Sequence, residues 1–323
     1  MRTSSKTNLG SEREGQMFLT DYAAITRIGL GLDAPHPNGW MNLLLHARGD
    51  AQQIPMHTTS LSLYSVFRGS ERHEVGRARF AVTPDRYLLL NDNQRHTHGI
   101  EDGSEVLSLR FRSGMGSDVF SAAKLPLDQQ LEDPNRRVPL EFFERTYPRD
   151  VRLSELLGWL RMFIWAEVTQ DPLEQAMQPI LEHLLVLHSN LDAEIEAQPA
   201  AKRSTREELF RRLHLARDYI EASYLEKINL FTIAEIANLS PHHFLRVFKQ
   251  SFEVTPYQFV TQKRLELAQK WLRETEKDVT NICFDLGFES LGTFSRSFKA
   301  RFMASPSQYR INARASVSAK TKT

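Results

Sequence analysis

The chain has 323 residues, enough for two or three domains, with 41% hydrophobic and 25% charged residues and a net charge of +1. One cysteine excludes an intramolecular disulfide framework and suits a reducing cytoplasm, the expected location. No apolar run approaches the roughly 18 residues of a membrane span, and the polar start Met1–Gln16 lacks a signal-peptide core and reads as an arm.

From Trp40 to Phe111, short alternating or apolar runs recur about every ten residues. They are Trp40–His46, Leu61–Phe67, Glu71–Val75, Ala78–Val82, Arg86–Leu90, His96–Ile100 and Val106–Phe111. Turn residues such as Gly69-Ser70, Thr83-Pro84-Asp85 and Asp102-Gly103 separate them, which predicts an all-β barrel or sandwich. His57, His73, His96 and His98 fall in this stretch, and the alternate pair His96 and His98 would share a strand face.

Between about Leu125 and Glu196 the pattern becomes helical. Leu153, Leu156, Leu157 and Leu160 recur at spacings of three or four, as do Met177, Ile180, Leu181, Leu184, Leu185 and Leu187. Such stripes pack on a barrel or pair with a second copy. Glu194–Ser204, with Gln198-Pro199-Ala200-Ala201, reads as a linker. Ser204 and Glu207 have the spacing of a capping box that opens the next helix.

The C-terminal third contains one pattern twice. Phe244, Arg246, Phe248, Lys249, Phe252, Thr255, Pro256 and Phe259 recur fifty residues later as Phe294, Arg296, Phe298, Lys299, Phe302, Ser305, Pro306 and Tyr309. In the first copy, Thr232 and Glu235 have capping-box spacing, with Phe231 and Ile236 as the staple. Ile233, Ile236 and Ala237 form the inner face of that helix, and Asn238 ends it in a tight turn. Ser240-Pro241 then caps a second helix, which buries Phe244, Val247 and Phe248 and leaves His242, His243, Leu245, Arg246 and Lys249 outward. A helix from Thr255-Pro256 to about Arg273 joins the copies.

In the second copy Gly287 makes the turn after Ile282, Cys283 and Leu286. The extra residue Glu289 makes the first helices repeat at 49 and the second at 50. Phe294 and Phe298 face inward; Leu291, Gly292, Thr293, Ser295, Arg296 and Lys299 face outward. A capped helix after a short turn, apolar on one side and polar on the other, matches a DNA recognition helix. The base-contact candidates are therefore His242, His243, Leu245, Arg246, Leu291, Gly292, Thr293, Ser295 and Arg296. The phosphate candidates are Ser240, Lys249, Ser290 and Lys299. Charge agrees: from Ser204 onward 19 basic residues face 13 acidic, against 22 and 27 before it.

These motifs resemble the AraC/XylS family of bacterial transcription regulators. The resembling positions run from Ile233-Ala234, Ala237 and Leu239-Ser240 through Phe244, Phe248-Lys249, Pro256, Arg264-Leu265 and Ala268. They continue with Ile282-Cys283, Leu286-Gly287-Phe288, Phe294-Ser295-Arg296 and Phe298-Lys299, and close at Ser305-Pro306 and Tyr309-Arg310. The resemblance implies a bilobed seven-helix DNA-binding domain over 204–310. It also implies a cupin-like sensor over 20–115 and a helical dimerisation and linker segment over 116–203. The whole would be an α+β multidomain chain: a cupin-like β-barrel followed by an all-α double helix-turn-helix domain.

Promoter DNA, a small-molecule effector, RNA polymerase and a second copy of the chain are the partners so implied, with no membrane. Three departures stand out: the family's usual glycine is Glu253 in one copy and Met303 in the other, and Cys283 replaces a small alanine. Catalytic cupins carry a fuller pattern, two spaced histidines with a glutamate and a later histidine. Here His73-Glu74 stands where His-x-His is expected, so no metal, cofactor or catalytic residue is assigned. The alternative from another class is a metal-dependent cupin enzyme fused to a DNA-binding domain. Candidate effector-binding residues are Tyr64, His73, His96 and Arg110.

Overall fold

The computed structural model describes residues 25–28, 42–163, 170–199 and 202–320. The arm expected at Met1–Gln16, and Trp40 at the start of the first expected strand, lie outside these. The described residues fall into two compact units. The first takes in the described parts of Met1–Glu71, Val82–Phe142 and Tyr147–Val186. The second takes in Arg72–Ala81, Phe143–Thr146 and the described part of Leu187–Thr323.

The strands are β1 (Ile25–Ile28), β2 (Leu43–Gly49), β3 (Gln52–Thr59), β4 (Ser62–Arg68), β5 (Glu71–Val75), β6 (Ala78–Val82), β7 (Arg86–Leu90), β8 (Gln94–Ile100), β9 (Ser104–Arg110) and β10 (Thr146–Pro148). They form two sheets, β1-β2-β9-β4-β7-β10 and β3-β8-β5-β6. The expected β-rich, cupin-like N-terminal domain is thus present as two sheets, which among the described residues do not close into one barrel. Strong period-two segments such as β5, in which Glu71, His73 and Val75 are buried and Arg72 and Glu74 exposed, were readable. β3 was not. It contains Pro55 and few apolar residues, and its ladder to β8 shifts register between Ile54 and His57, where proline cannot donate a hydrogen bond.

Helices α1 (Met115–Lys124), α2 (Leu127–Glu132), α3 (Val151–Phe163) and α4 (Gln170–Ser189) follow. Leu153, Leu157 and Leu160 of α3, and Met177, Ile180, Leu181 and Leu184 of α4, are buried, as their spacing requires. Trp159, Met162 and Val186 on the same helices stay exposed.

The long continuous stretch of the second unit runs from Leu187 onward. The reason is local bonding. Helix α5 (Leu191–Glu196) buries Leu191 and Ile195, and Glu196 pairs with Arg203 and Arg206 of α6 (Arg203–Ser223). Thr146 N and Oγ1 both donate to the buried Asp218 carboxylate of α6, at 2.7 Å each. The expected Ser204 cap is absent; the cap position falls two residues earlier, at Lys202, whose side chain makes no cap bond.

The remaining helices are α7 (Leu230–Ile236), α8 (Pro241–Phe252), α9 (Pro256–Glu274), α10 (Val279–Asp285), α11 (Leu291–Phe302) and α12 (Pro306–Lys320). Two apolar cores result. One gathers Leu213, Ile220, Ile233, Phe244 and Phe248; the other gathers Leu265, Leu272, Ile282, Phe294 and Phe298. Each Phe pair therefore sits at the centre of its own lobe.

Candidate functional site

Each lobe is built by the same series of short-range bonds. The Asn229 side chain caps α7 by accepting from Thr232 N at 2.9 Å. Asp278 caps α10 by accepting from Thr280 N and Asn281 N at 2.8 and 3.0 Å. The cap of α7 is thus Asn229 and not Thr232, and the expected staple residue Phe231 is 74% exposed. Asn229 and Asp278 are 49 residues apart, as the first helices are.

The turn that follows is the same in both lobes. Leu239 N donates to Ala234 O and Asn238 N to Glu235 O; Phe288 N donates to Cys283 O and Gly287 N to Phe284 O. This is a Schellman closure, which needs a left-handed residue. Asn238 and Gly287 supply it, with φ of 49° and 74°. Ser240 Oγ then accepts from His243 N, and Ser290 Oγ from Thr293 N, at 3.4 and 3.2 Å.

On α8 the inward side chains Phe244, Val247 and Phe248 are buried, and on α11 so are Phe294 and Phe298. The opposite face presents His242, Arg246 and Lys249 on α8, and Gly292, Thr293, Arg296 and Lys299 on α11, all exposed. Leu245 and Leu291 are 37% and 40% exposed; His243 and Ser295 are half-buried. Arg246, Lys249, Arg296 and Lys299 make no ion pair among the described residues, so their charge is available to a polyanion.

The connecting helix α9 has 19 residues, about 28 Å at the standard rise. Its Thr255–Gln258 capping box is complete, at 3.2 and 2.8 Å. Arg264 on α9 ties the lobes together. Its Nε donates to Tyr224 O and its Nη1 to Gly287 O, both at 2.8 Å.

A second cluster lies within the first unit, where β3 and β8 face β4 and β9. His57 on β3 faces His96 on β8 directly in the ladder. Their ring centroids are 4.2 Å apart, and those of His57 and His98 are 5.3 Å apart. Tyr64 on β4 crosses from the other sheet to bond His96 Nε2 at 3.0 Å. Arg110 on β9 does the same, donating to His57 Nε2 at 3.1 Å. Glu71 Oε1 lies 3.6 Å from His98 Nε2.

Burial governs the protonation of this cluster. It pushes the Tyr64 hydroxyl up, although the Arg110 charge pulls the other way. It lowers His57, with the Pro55 carbonyl opposing and Arg110 reinforcing. It lifts the Glu71 carboxyl to about 7, against the pull of His98. Three of the four candidate residues, Tyr64, His96 and Arg110, therefore belong to one cluster. The fourth, His73, is fully buried on β5, on the same strand face as Glu71. His57 and His98 are not among the effector candidates, although the sequence places them in this stretch, because the strand that brings His57 opposite His96 has no readable periodicity.

The helix-turn-helix domain family matches residues 233–312, which include both recognition helices. Over 283 residues the chain is 24% identical to the HTH-type transcriptional activator RhaS of Escherichia coli, covering 85% of this chain and 94% of RhaS. The C-terminal helix-turn-helix domain is of the AraC type. It is 32% identical over 94 residues to the transcriptional regulator LumQ of Photobacterium leiognathi, described as probable, and this covers 29% of this chain and 38% of LumQ. A crystal structure of a probable AraC family regulator from Rhodopseudomonas palustris is 26% identical, covers 32% of this chain and 96% of that one, and has a TM-score of 0.31. The C-terminal lobes form the DNA-binding domain of a transcription regulator. No helix among the described residues is long and apolar enough to cross a membrane.

Proposed function

We propose that this AraC/XylS regulator reads promoter DNA with α8 and α11 in two successive major-groove segments, under control of a small polar effector bound between the two sheets. The observation that carries the DNA half is the repetition of cap, turn, exposed face and left-handed stop in both lobes, with Arg246 and Arg296 at matching places. Arginine can bond guanine bidentately. A rigid rod of about 28 Å suits helices held roughly one DNA turn, or 34 Å, apart. The effector half is supported by Tyr64 and Arg110, which reach across to histidines on the facing sheet and would answer to a polar ligand. A second copy of the chain would pair through α3 and α4, where Trp159, Met162 and Val186 are exposed.

The deciding experiment is a genome-wide map of bound sites followed by footprinting on the strongest. The expected footprint has two protected major-groove segments one turn apart. Equal affinity for these sites and for random DNA would overturn the reading.

A further inference from the structure

We propose that His57, His96 and His98 hold one divalent transition-metal ion between the two sheets. Their ligand nitrogens all lie within 4.8 Å of one another. A tetrahedral ion with metal–nitrogen bonds of about 2.0–2.1 Å needs nitrogens about 3.4 Å apart, so side-chain rotations alone can close the set. The strand register supplies the arrangement: His96 and His98 alternate on one strand, and His57 pairs directly with His96 on the next. Three imidazoles suit zinc, copper, iron or nickel better than magnesium or calcium.

The tautomer of His57 is fixed by its neighbour. A carbonyl can only accept, so the 3.0 Å bond to Pro55 O places the proton on Nδ1. Nε2 therefore carries a lone pair, the form a metal ligand requires, and the Nδ1 bond is of the kind that orients ligating histidines. Glu71, beside His98 Nε2, supplies carboxylate support of the same kind. At present the Arg110 guanidinium satisfies the His57 lone pair at 3.1 Å. An ion would take over that lone pair and displace Arg110. Three protein ligands also leave one coordination position open, and the released guanidinium would stand next to it. An anionic or oxygen-donor molecule would be favoured there. The ion site itself rests on the histidine geometry and not on the effector reading.

The test uses the full chain, stripped with a chelator and titrated with Co(II), whose tetrahedral complexes absorb strongly in the visible range. The expected result is one equivalent bound, displaced by one equivalent of Zn(II). His57→Gln and His96→Gln should each weaken binding at least tenfold, while Cys283→Ser and the double change His242→Gln, His243→Gln leave it unchanged. Since His57 is only half-buried, His57→Gln decides the matter if His96→Gln does not fold, with circular dichroism as the check. No stoichiometric cobalt, or undiminished binding by folded His57→Gln, overturns the site. Neither DNA nor effector is present, so a protein that binds promoter DNA and no cobalt overturns the metal site alone.

Discussion

Glu253 and Met303, fifty residues apart, end the two recognition helices in the same left-handed conformation, with φ of 62° and 59°. Neither residue is favoured there, because a Cβ crowds the following carbonyl. Both side chains are exposed, and that of Met303 is 85% so; packing therefore offers little to offset the strain. Glu253→Gly and Met303→Gly should each stabilise the DNA-binding domain by about 1 kcal/mol. Thermal unfolding should show an upward shift of about 4 °C for each change. A downward shift in both would mean that the lost side chains contribute more than the strain costs.

Arg246 and Arg296 offer a test of base reading. Arg246→Ala or Arg296→Ala should cost about 1–3 kcal/mol on a specific site and relax the preference for the base pair each contacts. Binding isotherms on operator and on random duplexes distinguish this from loss of general charge. Equal weakening on both duplexes would exclude base contact.

Both arginines were readable in the sequence because the double helix-turn-helix rests on short-range rules: an aromatic stripe, a serine cap, a small turn residue. Each of these acts within about five residues. The first-helix cap shows the limit of such rules. Thr232 has the right spacing, yet Asn229 is the residue whose side chain accepts from the helix. Several N-terminal strands were readable from alternation alone. The His57–His96 pairing was not, because it depends on a register shift beside Pro55 that no local pattern records. Arg110 and Tyr64 join the cluster only because two sheets stack, which is a tertiary fact.

Lys249 and Lys299 lie near the ends of α8 and α11, beyond the arginines by about one turn and exposed. Their place suits phosphate. Neutralising either one should weaken binding to all duplexes alike and reduce the slope of log affinity against log salt by about one unit. Titrations at several salt concentrations measure this directly. An unchanged slope in both variants would remove them from the interface.

The DNA-binding domain should be separable from the sensor, and the structure says where to cut. A fragment from Lys202 to Thr323 keeps both lobe cores but loses α5, whose Leu191 and Ile195 are buried and whose Glu196 pairs with Arg203 and Arg206. It also loses Thr146, the donor of two bonds to Asp218. In the fragment water can replace those bonds, so folding should survive. A longer fragment from Leu187 to Thr323 retains α5 and should melt higher. Both should be helical by circular dichroism, bind operator DNA more weakly than the full chain, and ignore the effector. Weaker binding follows if α3 and α4 link two copies, because removing that link lowers the effective concentration of the second domain. If the short fragment fails to fold, Glu253→Gly with Met303→Gly is the rescue to apply. A folded long fragment that shifts no promoter DNA would sink the two-domain reading, since both recognition helices and their supporting cores would be intact.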